Sequence, residues 1–380
     1  MELLLKVLLY GSLIILGYTY VGYPLLLVLW VRCGGCPIRK ATATPSVTVV
    51  IAAWNEVSRI RARLTDCLAQ EYPEQLLNIV VISDGSTDGT IEVVRSIGSP
   101  RIKLLALKNR NGKALAINQG VEAADGEIVV FTDARQTFTR NAVKELVANF
   151  SDPTVGAVTG ELMLQDSFAS RESSHSTGLY WKVEKWIRKN EGAIDSVVGV
   201  TGAIYAIRKS LFRPLPSDTI LDDLLTPMKI AMQGYRVVFE ARALAYDIVT
   251  PSYRAEFSRK VRTLAGNYQA ISFYPDLLLP WRNRLWFQFV SHKVLRLIAP
   301  ICMVLLLFAN LELRSGWLAL LLSGQVALYG LALIGWGLRT IGVQDRWTAP
   351  AFTFCLLNIA AIFGAARFLR SRTISWEKTT

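Results

Sequence analysis

The chain has 380 residues, enough for one large domain or two smaller ones with a substantial core. Apolar residues make up 52% of it and the formal net charge is +12, a balance that would suit nucleic acid or a membrane surface. The basic residues flank apolar segments, and no zinc-finger or RNA-binding motif occurs. This arrangement favours a membrane partner and argues against nucleic acid.

The N-terminal segment, residues 1–32, predicts a transmembrane anchor. Residues 3–31 are almost continuously apolar, long enough to cross a bilayer, and no small-residue cleavage site follows them. The five cysteines do not form a disulfide framework. Cys33 and Cys36 have the spacing of a zinc-binding pair, but no second pair or nearby histidine completes a site, so we interpret the spacing as incidental.

After a short polar linker, residues 45–270 predict one α/β domain. Short apolar runs rich in β-branched residues occur at 47–52, 79–82, 102–107 and 128–131. Apolar residues recur at helical spacing between these runs. Strands that alternate with helices in this way predict βαβ units and a mainly parallel sheet.

Each of these four strands ends in a polar turn. The turns are Ala53-Trp54-Asn55-Glu56, Ser83-Asp84-Gly85, Asn109-Arg110-Asn111-Gly112-Lys113 and Thr132-Asp133-Ala134-Arg135. Ligands of open α/β sheets bind in the crevice at this edge. There, Asp84 could accept the ring N–H of a uracil, Lys113 could meet a phosphate, and Asp133 could hold a cation or a sugar-nucleotide hydroxyl. The structural alternatives are an ordinary turn, a solvated charge and a helix cap.

Four motifs in this order resemble the membrane-associated family 2 glycosyltransferases, which include the synthases of cellulose, hyaluronan and poly-N-acetylglucosamine. The motifs are A-x-N-E, S-D-G-S-T-D, N-G-K-x-x-A-x-N-x-G and T-D-A. The resemblance covers roughly residues 45–269 and implies a GT-A type domain. Such a domain transfers a sugar from a nucleotide donor with inversion, and we expect the donor to be a UDP-sugar. It also implies the residues that bind the nucleotide sugar, which are Ala53, Asn55, Glu56, Asp84, Lys113, Asp133, Arg135 and Arg262.

The second half of the domain supplies the acceptor side of this resemblance. Residues 198–203 resemble the family's G-x-x-G stretch, which implies that Thr201, Gly202 and Ala203 bind the acceptor. Asp222 and Asp223 stand where the family has Glu-Asp, so Asp223 takes the place of the catalytic base. A carboxylate there would remove the proton of the attacking hydroxyl. The alternative is a helix N-terminus that favours acidic residues.

The chain departs from the family at two motifs. The D-x-D motif is Asp133-Ala134-Arg135, so either Arg135 neutralises the leaving group or Asp133 still holds Mg²⁺ or Mn²⁺ together with phosphates and water. We expect the metal. In the Q-x-x-R-W motif only Arg262 matches, and Thr263 replaces the tryptophan that forms the acceptor platform. Arg262 could contact the diphosphate, whereas long-chain processivity is not implied.

The C-terminal third is predicted to return to the membrane. Residues 275–297 mix tryptophan and phenylalanine with arginine and lysine, typical of an interfacial amphipathic helix. Residues 294–368 contain about three candidate spans, and 369–380 form a basic tail. Three crossings would place that tail opposite the catalytic domain, against the positive-inside tendency. Two explanations stay open: one segment is re-entrant, or the protein is an exception to the rule.

Together these features predict an integral protein of the bacterial inner or plasma membrane with a cytoplasmic catalytic domain. The expected activity is transfer of a sugar from a UDP-sugar to a hydroxyl of a membrane-associated glycan or lipid-linked acceptor, in extracellular polysaccharide synthesis. One alternative is a glycosyltransferase that acts on a polyprenyl phosphate. The other is a catalytically silent sugar-nucleotide-binding scaffold of an export complex. No short motif specifies the donor sugar, the linkage or a partner subunit.

Overall fold

The computed structural model describes residues 1–165, 174–248, 253–313, 316–343 and 345–370. Residues 371–380, most of the predicted basic tail, lie outside the described residues. The predicted domain boundaries stay predictions, but the elements inside them are as follows.

The described residues form one eight-stranded sheet with the order β3-β2-β1-β4-β7-β6-β8-β5. The strands are β1 Val47–Ala53, β2 Leu77–Asp84, β3 Ile102–Leu107, β4 Ile128–Thr132, β5 Thr137–Phe138, β6 Val155–Gln165, β7 Tyr205–Arg208 and β8 Arg236–Ile248.

The helices are α1 Glu2–Gly17, α2 Tyr23–Cys33, α3 Ile60–Leu68, α4 Thr90–Ser96, α5 Lys113–Glu122, α6 Ala142–Ala148, α7 Ser174–Ile194, α8 Asp222–Met232, α9 Tyr253–Phe273, α10 Trp286–Phe289, α11 Leu295–Leu313, α12 Trp317–Thr340 and α13 Ala349–Arg370. Single π-helical turns, Tyr18–Gly22 and Val290–Val294, join α1 to α2 and α10 to α11.

The four predicted strands form the parallel half of the sheet. β1 lies between β2 and β4, and β3 pairs with β2 at the outer edge. Alternate residues of β1 point into two separate cores: Val49 and Ile51 pack on one face, and Val50 packs on the other. Burial on both faces explains why these strands are continuously apolar rather than alternating. The predicted α/β architecture is confirmed.

The other half of the sheet is mixed. β7 runs antiparallel to both β4 and β6, whereas β6 and β8 run parallel to each other. β5 pairs antiparallel with β8 at the edge. This half was not predicted strand by strand. It places the segment before β7 beside the end of β4, and this contact brings the acceptor-side residues to the nucleotide-side turns.

Two glycines allow close packing near the carboxyl ends of strands β1, β2 and β3. At Gly120 a Cβ atom would lie 2.6 Å from side-chain carbons of Val50 and Ile82, so α5 packs directly on β1 and β2. Gly85 has φ of +66° and a Cβ there would lie 2.6 Å from the Arg110 backbone nitrogen. Glycine alone suits both positions. The result is a fixed position for Lys113, the first residue of α5.

Four helices of the described residues are long and apolar enough to cross a membrane. They are Glu2–Cys33, Trp286–Leu313, Trp317–Thr340 and Ala349–Arg370. One N-terminal and three C-terminal candidate spans agree with the sequence prediction.

The single amphipathic helix expected over residues 275–297 does not form. A short 3-10 turn covers Pro275–Leu278, and a helix begins only at Trp286 and continues into the candidate span. The side chain of Arg284 binds Asp195 at 2.7 Å and donates to the Ala231 carbonyl at 3.1 Å. These bonds hold the residues between Leu278 and Trp286 as a loop against the α/β domain. Arg284, one of the basic residues that suggested an interfacial helix, therefore has its partner in that domain.

Candidate active site

Three of the predicted site residues meet at the carboxyl ends of the strands. The Lys113 ammonium lies 3.0 Å from an Asp133 oxygen and 3.3 Å from an Asp222 oxygen. Asp133 follows β4 and Asp222 is the first residue of α8, so the lysine joins the predicted nucleotide side to the predicted catalytic side. The Lys113 side chain keeps 20% of its surface exposed and Asp133 keeps 36%. The cluster therefore remains accessible to a ligand.

Asp223 faces the same space across Gly202. A Cβ atom on Gly202 would lie 3.4 Å from the Asp223 Oδ2 atom and 3.7 Å from the Lys113 ammonium. The backbone carbonyl of Asp223 accepts the N–H of Val200 at 2.8 Å, which fixes the start of α8 against this loop. Predicted acceptor-binding and catalytic residues thus lie in direct contact.

A buried hydrogen-bond chain aligns the loop with the end of β4. The Thr132 hydroxyl donates to the Ala203 carbonyl at 2.9 Å. A guanidinium nitrogen of Arg63, itself 2% exposed, donates to the same hydroxyl at 3.1 Å. The Thr201 N–H donates to the Thr159 hydroxyl on β6 at 3.1 Å. Buried hydrogen bonds of this kind restrict the geometry of the groups that they join.

The charges of this cluster change its pKa values in opposite directions. Burial, and then the neighbouring Asp222, raise the pKa of Asp223 to about 6, although Lys113 and Arg188 oppose the shift. Burial also opposes ionisation of Asp133, but Lys113 and then Arg135 outweigh it and lower its pKa. A carboxylate with a pKa near neutrality beside one that stays ionised is the arrangement expected of a base next to a charged binding group.

The predicted nucleotide side forms a second row of contacts. Asp84 is fully buried and accepts the N–H groups of Asn111 at 2.7 Å and Gly112 at 2.8 Å. Asp84 therefore shapes the loop that presents Lys113, and its direct contact with a nucleoside stays a prediction. Asn55 has φ of +54° and its side chain accepts the Thr87 N–H at 2.8 Å, which holds the turn after Ala53.

Arg135 and Arg262 both interact electrostatically with Asp133. Arg135 forms an ion pair with Asp247 of β8 at 2.9 Å and also contributes to the electrostatic stabilisation of Asp133. Arg262 interacts electrostatically with Asp133, Asp223 and Asp222. Asp247 could not be identified from the sequence, because it reaches Arg135 only through the pairing of β8 with β6 in the mixed half of the sheet.

Sequence reasoning also missed a cation–aromatic pair at the nucleotide edge. The Arg110 guanidinium stacks 3.6 Å from the centre of the Trp54 ring. Both residues lie within motifs that were noted for their neighbours, and only the fold shows that the two turns meet. Planar groups of this kind provide a surface on which a base can stack.

The carboxylate chemistry of the site fits a divalent cation. Among the described residues, no three histidine, cysteine or acidic side chains are placed so that together they could hold a metal ion. Asp133, however, is partly exposed, and the buried Asp222 Oδ2 atom has no hydrogen-bond partner among the described residues. Mg²⁺ is commonly held by one or two carboxylates together with substrate phosphates. Asp133 with a donor diphosphate would suffice.

The sheet and the position of its charged edge define a GT-A type glycosyltransferase fold with membrane helices at both ends. Residues 48–215 match the family model described as Glycosyl transferase family 2. This part of the chain is therefore similar to family 2 glycosyltransferase domains.

Curated relatives agree with this assignment. The poly-beta-1,6-N-acetyl-D-glucosamine synthase of Staphylococcus epidermidis strain RP62A is 25% identical over 238 residues, which cover 61% of this chain and 57% of the relative. The synthase of the same description from Staphylococcus aureus strain COL is 26% identical over 230 residues, covering 59% of this chain and 55% of the relative. The chain thus spans little more than half the length of these curated relatives.

A solved structure matches along nearly the whole chain. It is the mannosyltransferase PcManGT from Pyrobaculum calidifontis in complex with GDP-Man and Mn²⁺, at 25% identity and a TM-score of 0.73. The match covers 95% of this chain and 99% of that one. The similarity therefore includes the membrane helices as well as the catalytic domain.

The contact between Gly202 and Asp223 gives a first testable prediction. In Gly202→Ala the new methyl would contact Asp223 and Lys113 at ordinary van der Waals distances, so the protein should fold normally. The methyl would occupy the space between Asp223 and Lys113. If both side chains act on the substrate, we expect turnover to fall about 10- to 100-fold, as for other small misplacements at a reacting centre. Thermal unfolding and steady-state rates would be measured together. Wild-type turnover in the folded variant would contradict the proposed position of the acceptor.

Proposed function

We propose that this protein transfers a sugar, with inversion, from a nucleoside diphosphate donor to a hydroxyl of a membrane-associated glycan or lipid-linked acceptor. The observation that carries the proposal is the position of Asp223, a carboxylate with a raised pKa, across Gly202 from Lys113, which in turn forms an ion pair with Asp133. A base, a cation and a diphosphate-binding carboxylate are what a single displacement at an anomeric carbon requires.

In the proposed step, Asp223 accepts the proton of the acceptor hydroxyl while the hydroxyl oxygen forms a bond to the anomeric carbon. The bond from that carbon to the diphosphate breaks, and the nucleoside diphosphate leaves with the electron pair. Lys113 and Arg262 stabilise the developing negative charge. One displacement inverts the anomeric centre. Thr201 and Gly202 shape the acceptor site, and Glu56 holds the nucleoside end of the donor. Asp84 acts on that end by fixing the loop of Asn111 and Gly112, and Asp222 orients Lys113.

For the donor, we propose a UDP-linked sugar, because the domain resembles the poly-N-acetylglucosamine synthases. A GDP-linked sugar is the second candidate, supported by the similarity of almost the full chain to a mannosyltransferase bound to GDP-Man. The stacked pair of Trp54 and Arg110 suits the face of either base. Titration of UDP and GDP into purified protein would distinguish the two.

The pKa of Asp223 predicts a pH dependence. The base reacts as its carboxylate, so activity should be present above a pKa of about 6 and lost as the pH falls below it. Each further pH unit should lower kcat about tenfold, since one proton inactivates the base. The profile would be measured from pH 5 to pH 9 with saturating donor. A rate unchanged between pH 7.5 and pH 5 would show that Asp223 does not act as base.

A divalent cation, when bound by Asp133 and the donor diphosphate, would supply charge neutralisation to the leaving group. We expect removal of bound metal with EDTA to abolish at least about 90% of the activity. Addition of Mn²⁺ or Mg²⁺ should restore it. Full activity after extensive stripping would instead support Arg135 as the neutralising group.

We propose that the protein sits in a cell membrane, with its catalytic domain on the cytoplasmic side where nucleotide sugars are made. The silent-scaffold alternative predicts nucleotide binding without turnover. The polyprenyl-phosphate alternative predicts that Asp223→Asn has a mild effect, because a phosphate acceptor is already ionised.

A further inference from the structure

The helix α9 presents one row of residues to the candidate active site. Arg262, Gly266 and Gln269 are spaced by four and then three residues, so they lie on the same face of the helix. Arg262 interacts electrostatically with three acidic residues of the site, among them Asp223. The other two residues contact the segment that leads into α8, and the catalytic step described above uses neither of them.

Gln269 binds the backbone of this segment at two points. The Ile220 N–H donates to the Gln269 side-chain oxygen at 2.9 Å. The Gln269 side-chain nitrogen donates to the Asp218 backbone carbonyl, also at 2.9 Å. Gln269 is only 1% exposed. Because buried polar groups that lose their partners are costly, the two bonds restrict residues 218–220 to one conformation.

Gly266 lets the same segment approach the helix closely. A Cβ atom at Gly266 would lie 2.5 Å from the Leu221 Cγ atom and 3.1 Å from the Ile220 Cγ2 atom. Leu221 is the residue before α8, and its carbonyl accepts the first backbone hydrogen bonds of that helix. The contact with Gly266 therefore sets the position of the first turn of α8, which begins with Asp222 and Asp223.

Another side of α9 packs on the candidate membrane span α13. At Gly364 a Cβ atom would lie 3.0 Å from the Ala265 backbone nitrogen and 3.0 Å from the Leu264 Cβ atom. The rings of Tyr268 and Phe368 stack with their centres 6.3 Å apart. The helix α9 is thus packed between the span and the segment before the catalytic carboxylates. Close packing on both sides fixes its distance from that segment.

We infer that Gln269 and Gly266 are positioning residues of the transfer step. They hold residues 218–221 so that Asp223, two residues further along the chain, faces the acceptor site. Both act through the backbone and packing of that segment and not on the substrate. The inference rests on the proposed function, because it assigns the structural support of the catalytic base.

The first test is Gln269→Met, which keeps the length of the side chain and removes both hydrogen bonds. We expect kcat to fall about 10- to 100-fold, the effect of a misplaced reacting group, while nucleotide affinity stays within about threefold of wild type. Turnover would be followed as nucleoside diphosphate release, and affinity by calorimetric titration. A residue that only stabilised the fold would lower the unfolding temperature without this separation of kcat from affinity.

Gln70→Met is the matched control for this variant. The buried Gln70 side chain also accepts a backbone N–H, from Val143 at 3.2 Å, and donates to a backbone carbonyl, that of Thr139 at 3.1 Å. These partners lie at and just before α6, outside the candidate active site. The control should lower the unfolding temperature by a similar amount, because it loses the same kinds of bond. Its kcat should stay within about twofold of wild type.

A double-mutant cycle tests whether Gln269 acts through Asp223. In an Asp223→Asn background the base is already absent, so its position no longer affects the rate. We therefore expect Gln269→Met to lower the remaining rate by less than about threefold in that background.

Gly266→Ala tests the close approach without removing a hydrogen bond. The new methyl would displace Leu221, so kcat should fall at least about tenfold although alanine is the better helix former. Leu221→Ala in the same protein removes the displaced side chain and should restore kcat to within about threefold of Leu221→Ala alone. Gly330→Ala is the control, since a Cβ atom there meets nothing within 4 Å, and should match wild type.

Turnover of wild-type protein with a panel of donors would be measured first. Wild-type turnover together with an unchanged kcat in Gln269→Met would overturn the inference alone. An equally large loss in the Asp223→Asn background would also overturn it, because Gln269 would then act independently of the base. No turnover by wild-type protein with any donor would contradict the proposed function and, with it, the inference.

Discussion

Replacement of Asp223 by asparagine should lower kcat by about 10²- to 10⁴-fold, the usual contribution of a positioned general base. The amide is nearly isosteric but cannot accept the hydroxyl proton. Nucleotide affinity should stay within about threefold of wild type, because the interactions assigned to the donor diphosphate come from Lys113, Asp133 and Arg262. Turnover would be measured as nucleoside diphosphate release, and affinity by calorimetric titration.

Asp218→Asn is the matched control for this experiment. It removes one carboxylate from the loop that precedes α8 and leaves the cluster around Lys113 intact. Its activity should equal wild type. Retention of more than a tenth of the wild-type rate by Asp223→Asn would contradict its role as base and would favour a phosphate acceptor.

The second large effect is expected at Lys113. Lys113→Gln would leave Asp133 and Asp222 without the cation that lies 3.0 Å and 3.3 Å from them. We expect kcat/KM to fall at least about 100-fold, comparable to the loss of one preorganised donor at a developing negative charge. The pKa of Asp223 should rise above about 6, because Lys113 opposes that shift. The acid limb of the pH profile should therefore move to higher pH.

Two further variants separate charge from structure. Lys113→Arg keeps the positive charge and should retain more activity than Lys113→Gln. Lys108→Gln changes an exposed lysine in the loop that precedes α5 and should have no effect. Unfolding temperatures would show whether each protein is folded. A pH profile of Lys113→Gln that coincides with wild type would contradict the electrostatic coupling of Lys113 to Asp223.

The parallel half of the domain could be predicted from the sequence because local signals agree there. Strands β1 to β4 are short apolar runs, and each ends in a polar turn that the topology places at one edge. Lys113 and Asp133 were recognised as candidates for this reason, and the fold brings them together.

The rest of the site depends on long-range pairing that no local pattern encodes. Asp247 reaches Arg135 only because β8 pairs with β6 at the centre of the mixed half. Arg110 reaches Trp54 because two turns from different strands meet. The loop around Arg284 replaces a predicted helix because Asp195, far away in the sequence, binds its guanidinium. In each case a contact between distant residues decides the structure.

The membrane segments followed from apolar length, but their chemistry did not. Lys293 and Arg296 belong to the segment 275–297, in which arginine and lysine are mixed with aromatic residues. Their common carboxylate, Glu184, lies on α7 of the catalytic domain and became visible only in the fold. The bridge that His292 forms between Glu184 and Glu191 likewise joins the membrane helix to the domain.

A labelled-donor experiment tests most directly whether the protein transfers a sugar from a nucleotide donor to a membrane acceptor. Full-length protein would be incubated with membranes and a panel of labelled donors that includes UDP-N-acetylglucosamine and GDP-mannose. We predict that one donor labels the lipid-extractable or polymer fraction in a time-dependent manner, and that Asp223→Asn does not. Nucleotide binding without label transfer from any donor would contradict the claim and favour a sugar-nucleotide-binding scaffold.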